Sequence, residues 1–371
     1  MKAAGLITLL AVAFFTGSCS NSNVDSRAGA QARSEEKPVS PGKSSSDGGW
    51  QDLVSDVAGE VFLGAEKGII FYAYDVLGYP HEPAELAAKV QLARILEDVP
   101  DVTVGFYRDS KLIGTAKTDD SGRAALYWTP PKEGDYFFTA KINAVPDKDY
   151  RDMLAVSPAP LLVAARTKKT PFVVIDLDHT VVDSSFFRVL VGGAKPMADS
   201  VKITTKIAKE YSIIYLTQRP ALLTRKSKLW LQDNRYPAGV LLLGDLREAL
   251  ADSGRFKTNL LTETKKAFPG IRIGIGDQPS DAQAYVDNGM EAYLFPHYKE
   301  KPKDLRKKAE QIREIQGQDR LYVVQSWSEI EAGILKGRKF PPETFVSYLE
   351  HRARQLQTEE EKNKKEENDD D

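Results

Sequence analysis

Six polar side chains in the middle of this chain have the types and the order that a phosphoryl-transfer site requires. They are Asp176, Asp178, Thr217, Lys257, Asp277 and Asp281. The hydrolysis of a phosphate ester needs a nucleophile, a proton donor and positive charge to offset the phosphoryl oxygens. Carboxylates, a hydroxyl and a lysine can supply these functions if the fold brings them together.

The first two carboxylates stand two residues apart and can divide the chemistry between them. Asp176 can attack phosphorus, and Asp178 can protonate the leaving oxygen and later activate water. Asp277 and Asp281 form a second acidic pair, and a hard divalent cation fits carboxylates that stand at the ends of two strands. The hydroxyl and the lysine would complete a cradle for the phosphoryl group.

Each of these residues, taken alone, has an ordinary structural explanation. An Asp after a strand is commonly a turn former, and the pair Asp277 and Asp281 could simply cap the helix that follows. A single Thr or Lys is no more informative. The functional interpretation therefore depends on the ordered set, whose members each stand at the end of a predicted strand or in the loop after it.

From about residue 170, apolar runs alternate with helical stretches. The predicted strands are 172–176, 211–216, 239–243, 271–276, 291–295 and 320–324. The predicted helices are 198–209, 220–233, 258–267, 280–288 and the charged amphipathic stretch 301–315. This alternation predicts a parallel sheet with helices on both faces. Ligands of such sheets bind beyond the carboxyl ends of the strands, which is where the acidic residues stand.

Residues 49–165 have a different pattern, with short strands separated by turn signals. The predicted strands are 60–63, 68–74, 102–107, 124–128 and 136–140. This spacing favours a β-sandwich, and the stretch 84–97 is expected to be a helical insertion or crossover. The segments 118–122 and 134–136 resemble bacterial immunoglobulin-like modules.

The N-terminus resembles an export signal. Lys2 precedes the apolar run 6–15, which is too short to span a bilayer, and small residues lead to Cys19 as in a bacterial lipoprotein cleavage box. Cys19 is the only cysteine of the chain, so no intrachain disulfide can form. We expect lipidation of Cys19 and a place in the bacterial cell envelope, with a plain cleaved secretory peptide as the alternative.

Two segments are too polar to form a core. Residues 20–48 are expected to be a disordered tether, and the charged tail 346–371 is expected to be helical or, after Thr358, disordered. The net charge of −2 argues against a general nucleic-acid binder.

The ordered acidic set resembles the haloacid dehalogenase-type phosphatase superfamily. The motifs that carry this resemblance are Asp176-x-Asp178-x-Thr180 and Gly276-Asp277-Gln278-Pro279-Ser280-Asp281. The resemblance implies that Asp176 is the nucleophile of an aspartyl-phosphate intermediate and that Asp178 is the general acid and base. The implied phosphate-binding residues are Thr217 and Lys257. The implied ligands of a Mg²⁺ cofactor are Asp176, the backbone carbonyl oxygen of Asp178, and Asp277, with Asp281 supporting the metal site or Lys257.

A narrower resemblance covers about residues 171–300. The segments Leu216-Thr217-Gln218-Arg219-Pro220 and Phe256-Lys257-Thr258-Asn259-Leu260 are similar to the catalytic domain of lipins, and to the matching domains of phosphatidylinositol-transfer proteins and actin-patch-type phosphatidate phosphatases. His179 stands where lipins have glycine, and Asp277 stands where they have asparagine. This resemblance implies a phosphorylated lipid, phosphatidate, as the substrate.

Two further expectations concern the surroundings of the site. Only about 35 residues separate Asp178 from Thr217, which leaves no room for a large cap and suits a lipid headgroup or a macromolecular phosphate. Arg219 is expected to bind the substrate phosphate or to have a structural partner. Arg225 and Lys228, which follow it, are as readily explained as solvated charges.

The expected architecture is therefore multidomain. Its parts are a lipoprotein-type signal peptide (1–19), a linker (20–48), an all-β immunoglobulin-like sandwich (49–165), an α/β Rossmann-like phosphatase domain with a minimal cap (166–345) and a charged tail (346–371). The expected activity is that of a membrane-tethered, Mg²⁺-dependent phosphatidate phosphatase. The alternatives are a phosphatase acting on a nucleotide, sugar phosphate or phosphoprotein, and a non-catalytic envelope lipoprotein that binds a partner.

Overall fold

The structure is a computed structural model, and it describes residues 65–94, 96–184, 193–244 and 253–369. The predicted signal peptide with Cys19, the tether 20–48 and the strand 60–63 lie outside these residues. Within the described residues, no helix combines the length and the apolar character needed to cross a membrane.

The N-terminal part, called the β unit here, contains strands β1 to β9 and spans residues 65–165. The strands are β1 Ile69–Ala73, β2 Val76–Gly78, β3 Ala84–Leu92, β4 Glu97–Asp98, β5 Thr103–Arg108, β6 Lys111–Lys117, β7 Arg123–Trp128, β8 Gly134–Ala144 and β9 Ala159–Ala165. A 3₁₀ turn occupies Lys148–Ala155. One sheet contains β1, β3, β4 and β7, and the other has the order β2-β9-β8-β5-β6.

The two sheets of the β unit share one apolar core. Phe71 and Leu86 from the first sheet lie in the same buried cluster as Phe106 and Phe138 from the second. Face-to-face packing of this kind buries one side of each sheet and leaves the other side for polar residues. The predicted sandwich packing is thus present, and β2, β6 and β9 are strands that the sequence pattern did not predict.

The helical prediction for residues 84–97 is wrong, because this stretch forms β3 and β4. Alanine, leucine, glutamate and lysine give it a helical composition, but β3 pairs with β1 on one side and with β7 on the other. Leu86, Ala88 and Val90 alternate into the core. Two partner strands and an alternating buried face therefore override a weak intrinsic preference.

The C-terminal part, called the α/β unit here, spans residues 172–369 and is built on a six-stranded parallel sheet. Its strands are β10 Phe172–Ile175, β11 Ser212–Pro220, β12 Gly239–Gly244, β13 Ile271–Gly276, β14 Glu291–Leu294 and β15 Leu321–Val323. The spatial order is β12-β11-β10-β13-β14-β15, and every neighbouring pair is parallel. The prediction of a parallel sheet is confirmed.

Helices cover both faces of this sheet. They are α1 Ser200–Ile207, α2 Thr224–Asp233, α3 Ser253–Ala267, α4 Pro279–Asp287, α5 Pro302–Glu314, α6 Trp327–Lys336 and α7 Pro342–Asp369, with short 3₁₀ turns at Ala221–Leu223 and Gln318–Arg320. Alternate residues of β10 show the arrangement: Val174 packs in a cluster with α3, α4, α5 and α7, whereas Val173 packs with α1, α2 and α6. Burial on both faces explains why these strands are continuous apolar runs.

The charged tail is helical as far as Asp369, so the expectation of disorder after Thr358 is wrong. Phe345, Leu349 and Ala353 at the start of α7 are buried in the core of the α/β unit. This docked segment nucleates the helix, and the good helix formers Glu and Lys prolong it. The predicted boundary at residue 345 therefore cuts through a helix that packs on the sheet.

The β unit and the α/β unit meet along an extensive seam. Arg166 Nε donates to Ser212 Oγ at 2.6 Å, and the Tyr79 hydroxyl donates to the carbonyl oxygen of Ala267. The Tyr79 ring stacks on Phe268 with the ring centroids 4.6 Å apart. The seam thus combines aromatic contacts with specific hydrogen bonds between the two units.

Candidate functional site

The sheet places two acidic residues where its strand order reverses. Asp176 directly follows β10, the central strand, and Asp277 directly follows β13, its neighbour. If the six strands are numbered by their position in the chain, their order across the sheet is 3-2-1-4-5-6. Ligands of open parallel sheets bind in the crevice at the reversal point, which here lies between β10 and β13. The backbone N–H of Asp176 donates to Ile275 O at 2.9 Å and anchors this end of β10 to β13.

Lys257 joins two carboxylates at this crevice. Its Nζ lies 2.6 Å from Asp176 Oδ1 and 2.7 Å from Asp281 Oδ1. Asp176, Asp277, Asp281 and Lys257 are all buried, each with at most 4% of its surface exposed. Lys257 lies on α3 rather than in a loop, and Asp281 lies in the first turn of α4. Two helices and two strands therefore converge on one charged cluster.

Two glycines of β13 make room for this cluster. A Cβ on Gly276 would lie 2.8 Å from both Cβ and Oδ2 of Asp281, and a Cβ on Gly274 would lie 2.3 Å from the Tyr285 ring. Both distances are shorter than van der Waals contact, so α4 can approach the strand this closely only because these residues lack a side chain.

The carboxylates of the cluster carry more negative charge than Lys257 can neutralise. Burial raises the pKa of Asp176 to about 7, with the charges of Asp281 and Asp178 adding to the rise and Lys257 opposing it. Burial and the neighbouring carboxylates also raise the pKa of Asp277 well above its ordinary range. Burial alone would lower the pKa of Lys257, but the facing carboxylates outweigh it and raise that pKa.

The acidic residues fit a divalent cation. Asp176, Asp277 and Asp281 each offer one carboxylate oxygen, and these oxygens lie within 4.8 Å of one another. Asp281 Oδ2 is buried and has no hydrogen-bond partner within the described residues. Three buried carboxylates, one of them with an unpartnered oxygen, form an oxygen donor set that suits Mg²⁺, and the cation would offset the negative charge that Lys257 alone leaves.

Asp178 stands beside the cluster with a partner of its own. Arg219 approaches it with two parallel bonds, Nε to Oδ2 at 3.0 Å and Nη2 to Oδ1 at 2.8 Å. The other arm of the guanidinium, Nη1, donates to Ser227 Oγ at 2.9 Å. Thr217, buried inside β11, accepts the backbone N–H of Arg219 at 3.3 Å. Arg219 thus has a structural partner, while phosphate binding by Thr217, Lys257 and Arg219 stays a prediction.

Several residues at this site were not predicted to be functional from the sequence. Gln278 donates to Asp277, and His297 Nε2 makes a hydrogen bond of 2.6 Å to the carbonyl oxygen of His179. Ser227 was not singled out because a serine inside a predicted helix is ordinary. Gln278 is adjacent to a predicted ligand, which is the one signal that could have found it.

A cleft of about 490 Å³ lies at the seam between the two units, away from the acidic cluster. Phe137, Leu162 and Leu231 are among the residues that line it, and none of the six predicted site residues does. The charged cluster rather than this apolar cleft carries groups suited to catalysis.

One comparison with known proteins matches the part of the chain that contains the site. Residues 173–295 match the family model described as PITM 1-3, LNS2 domain, which covers about a third of the chain and includes all six predicted site residues. This is a lipin-like domain of the phosphatase type, so the match supports a phosphatase. No curated protein matches the chain.

Solved structures resemble the chain only weakly. The D00-D0 domain of intimin is 20% identical with a TM-score of 0.20, over 26% of this chain and 46% of that one. The D0-D1 domain of intimin is 16% identical with a TM-score of 0.20, over 28% and 56%. A β-glucuronidase from Parabacteroides merdae is 10% identical with a TM-score of 0.27, over 61% and 33%. The chain spans about half the length of the two intimin structures, and TM-scores this low carry no argument.

Proposed function

We propose that this protein is a Mg²⁺-dependent phosphatase of the haloacid dehalogenase type, with a Rossmann-like α/β unit and an immunoglobulin-like β unit. The observation that carries the proposal is the buried cluster of Asp176, Asp277, Asp281 and Lys257 at the reversal point of the parallel sheet. The match of the surrounding residues to a phosphatase-type domain supports the same reaction class.

The proposed reaction has two steps. In the first, an Asp176 oxygen bonds to phosphorus, the ester P–O bond breaks, and the protonated Asp178 gives its proton to the departing oxygen. The products are an alcohol, an aspartyl-phosphate and the Asp178 carboxylate. In the second, Asp178 takes a proton from water, the water oxygen bonds to phosphorus, and the bond between phosphorus and the Asp176 oxygen breaks. This step releases orthophosphate and regenerates the Asp176 carboxylate and the protonated Asp178.

The remaining groups of the site bind and neutralise the phosphoryl group. Lys257 holds a permanent positive charge beside the nucleophile, and the Thr217 hydroxyl is a hydrogen-bond donor on the neighbouring strand. The proposed metal ligands are the carboxylates of Asp176, Asp277 and Asp281, together with the backbone carbonyl oxygen of Asp178, whose carboxyl group is left for proton transfer. A bound Mg²⁺ would supply Lewis-acid stabilisation of the phosphoryl oxygens.

Phosphatidate is the substrate that we propose first. The lipin-like match supports it, and so does the short segment between Asp178 and Thr217, which leaves no room for a large cap over a lipid headgroup. A lipid anchor on Cys19 would hold the enzyme at the surface of the cell envelope where such a substrate lies. A soluble phosphomonoester is the competing substrate class.

The test is phosphate release by the full-length protein in detergent. We expect Mg²⁺-dependent release from phosphatidate in mixed micelles, and loss of release in Asp176→Asn and in Asp178→Asn. Asp233→Asn, a change at an exposed residue at the end of α2, is the matched control and should keep wild-type activity. Full activity of Asp176→Asn would overturn the proposed mechanism, and faster release from nucleotides or sugar phosphates would overturn the proposed substrate.

A further inference from the structure

Arg219 holds Asp178 in one orientation. The two bonds between the guanidinium fork and the carboxylate, at 3.0 and 2.8 Å, match the planar geometry in which arginine binds carboxylates. The Arg219 side chain is only 2% exposed, whereas the Asp178 side chain is 26% exposed. Each carboxylate oxygen keeps a second lone pair, so Asp178 can still present an oxygen towards the open side of the site.

Helix α2 determines where the guanidinium of Arg219 lies. Ser227, on α2, is fully buried and accepts the third bond of the guanidinium at 2.9 Å. A shift or rotation of α2 would move Ser227 and loosen the fork on Asp178. The placement of α2 therefore bears directly on the geometry of the proposed general acid.

The β unit contacts another face of α2. Lys228, the next residue after Ser227, donates to Asp75 Oδ1 at 2.7 Å and to the carbonyl oxygens of Ala73 and Pro160 at 2.8 and 2.9 Å. Asp75 in turn accepts the backbone N–H of Leu241, on β12, at 2.9 Å. All three N–H donors of the Lys228 ammonium therefore bond to the β unit, and the Asp75 carboxylate links the β unit to the sheet of the α/β unit.

A second ion pair fixes the start of the same helix. Arg225 Nη2 lies 2.5 Å from Glu66 Oε1, and Glu66 Oε2 accepts the backbone N–H of Ser157 at 2.6 Å. Arg225 and Lys228 are three residues apart and so lie on one face of α2. Leu222 and Leu223, just before the helix, pack in a buried cluster with residues of β1.

We infer that Arg219 is a positioning residue for Asp178 and that the β unit, by clamping α2 through Glu66 and Asp75, is part of the catalytic machinery rather than a spacer. The inference rests on the proposed function, because it assigns the contacts a role in protonating the leaving group. It assigns Arg225 and Lys228 to the joint between the units, so their interpretation as solvated charges is wrong.

The dependence of the rate on the leaving group tests this role. A phenolate such as p-nitrophenolate departs without a proton, whereas the alkoxide of an alkyl ester needs one. The experiment compares kcat/KM for phosphatidate in mixed micelles and for p-nitrophenyl phosphate, using the full-length protein with Mg²⁺. Since kcat/KM reports on the steps up to release of the alcohol or phenol, it includes the general-acid step and excludes the later hydrolysis of the aspartyl-phosphate, and the comparison of the two esters singles out proton donation.

Variants of the residues that connect Asp178 to the β unit should lose activity on the alkyl ester selectively. We expect Arg219→Lys, which keeps the charge but not the fork, to lower kcat/KM for phosphatidate about tenfold or more and that for p-nitrophenyl phosphate less than about threefold. Ser227→Ala and the double variant Glu66→Gln/Asp75→Asn should show the same selective loss, smaller in size. Ser227→Ala removes one hydroxyl only and serves if the other variants do not fold, which circular dichroism would reveal.

The matched control is Glu85→Gln. Glu85 pairs with Arg123 inside the β unit at 2.5 Å and has an exposure similar to that of Glu66, but it does not contact α2. It should leave both substrates unaffected. Equal losses on both esters in a folded, active enzyme would overturn the inference and leave the proposed function standing. Absence of Mg²⁺-dependent release from either ester by the unmodified chain would overturn the proposed function, and the inference with it.

Discussion

At the scale of one residue, His179 has a backbone conformation that is unfavourable for any residue except glycine. It follows Asp178 with a φ of +55°, a left-handed conformation that costs a non-glycine residue about 1 kcal/mol. Its carbonyl oxygen accepts from His297, so the conformation is held by a contact across the site. Glycine, which stands here in lipins, would adopt the same backbone without strain.

We therefore predict that His179→Gly does not destabilise the protein and raises its free energy of unfolding by up to about 1 kcal/mol. The backbone contact with His297 remains, because it uses the carbonyl oxygen. Chemical denaturation of the variant and the wild type measures the difference. A clear loss of stability would show that the imidazole ring packs in a way that outweighs the strain.

The buried carboxylates predict how pH and metal removal change stability. Asp176 has a folded pKa of about 7, against 3.8 for the ordinary group, so between these values the folded protein retains a proton that the unfolded chain has released. The metal-free protein should therefore lose stability as pH rises from about 4 to about 7, by a few kcal/mol, and should not regain it above pH 7. A divalent cation should reverse this loss.

Asp277→Asn tests the same electrostatics. Removing one buried carboxylate should raise the melting temperature in EDTA at pH 8, and it should abolish the further rise that Mg²⁺ gives the wild type. Differential scanning calorimetry with and without Mg²⁺ measures both effects. A variant that is less stable than the wild type in EDTA would contradict the account of excess negative charge.

The clustering of the charged residues at the site could be predicted from the sequence, but their individual hydrogen-bond partners could not. Asp176, Asp277, Asp281 and Lys257 come together as predicted, because strand ends of a parallel sheet meet at one edge. The pairing of Arg219 with Asp178 depends on the turn after β11 and on α2. No spacing rule states how such a turn points a side chain.

At the scale of secondary structure, the fit between β13 and α4 sets the position of the metal-binding carboxylate. Gly276→Ala should push Asp281 away, since the added Cβ would lie 2.8 Å from the carboxylate. We expect this variant to fold with reduced stability and to lose most of its stabilisation by Mg²⁺, as measured by thermal melts. Gly78→Ala is the control, because its Cβ would meet Ala84 at an ordinary 3.7 Å. An unchanged Mg²⁺ effect in Gly276→Ala would contradict the assignment of Asp281 as a ligand.

The strands of the α/β unit could be predicted from the sequence because they are buried on both faces and read as continuous apolar runs. β3 could not, since its composition favours a helix and only the pairing with β1 and β7 decides its structure. The prediction of disorder after Thr358 is wrong because it considers only the polar composition of the tail. Phe345 and Leu349 pack in the core of the α/β unit, and this packing stabilises the start of a helix that the polar residues continue.

At the scale of the whole molecule, a buried ion pair links the two units across the seam. Asp75→Ala leaves the Lys228 ammonium buried at the seam without its carboxylate partner. We expect a loss of about 3 to 5 kcal/mol in the free energy of unfolding, as for other broken buried pairs. Urea denaturation followed by tryptophan fluorescence measures it. A change below about 1 kcal/mol, the usual range for an exposed pair, would show that the pair does not hold the units together.

The most direct test of the central claim is to trap the phosphorylated enzyme. The full-length protein is mixed with Mg²⁺ and a phosphomonoester labelled on phosphorus, quenched in acid within one turnover, digested and mapped. The account predicts that the label is bound to the peptide that contains Asp176 and that it is absent from Asp176→Asn. Label on another residue, or release of phosphate without any labelled peptide, would contradict it.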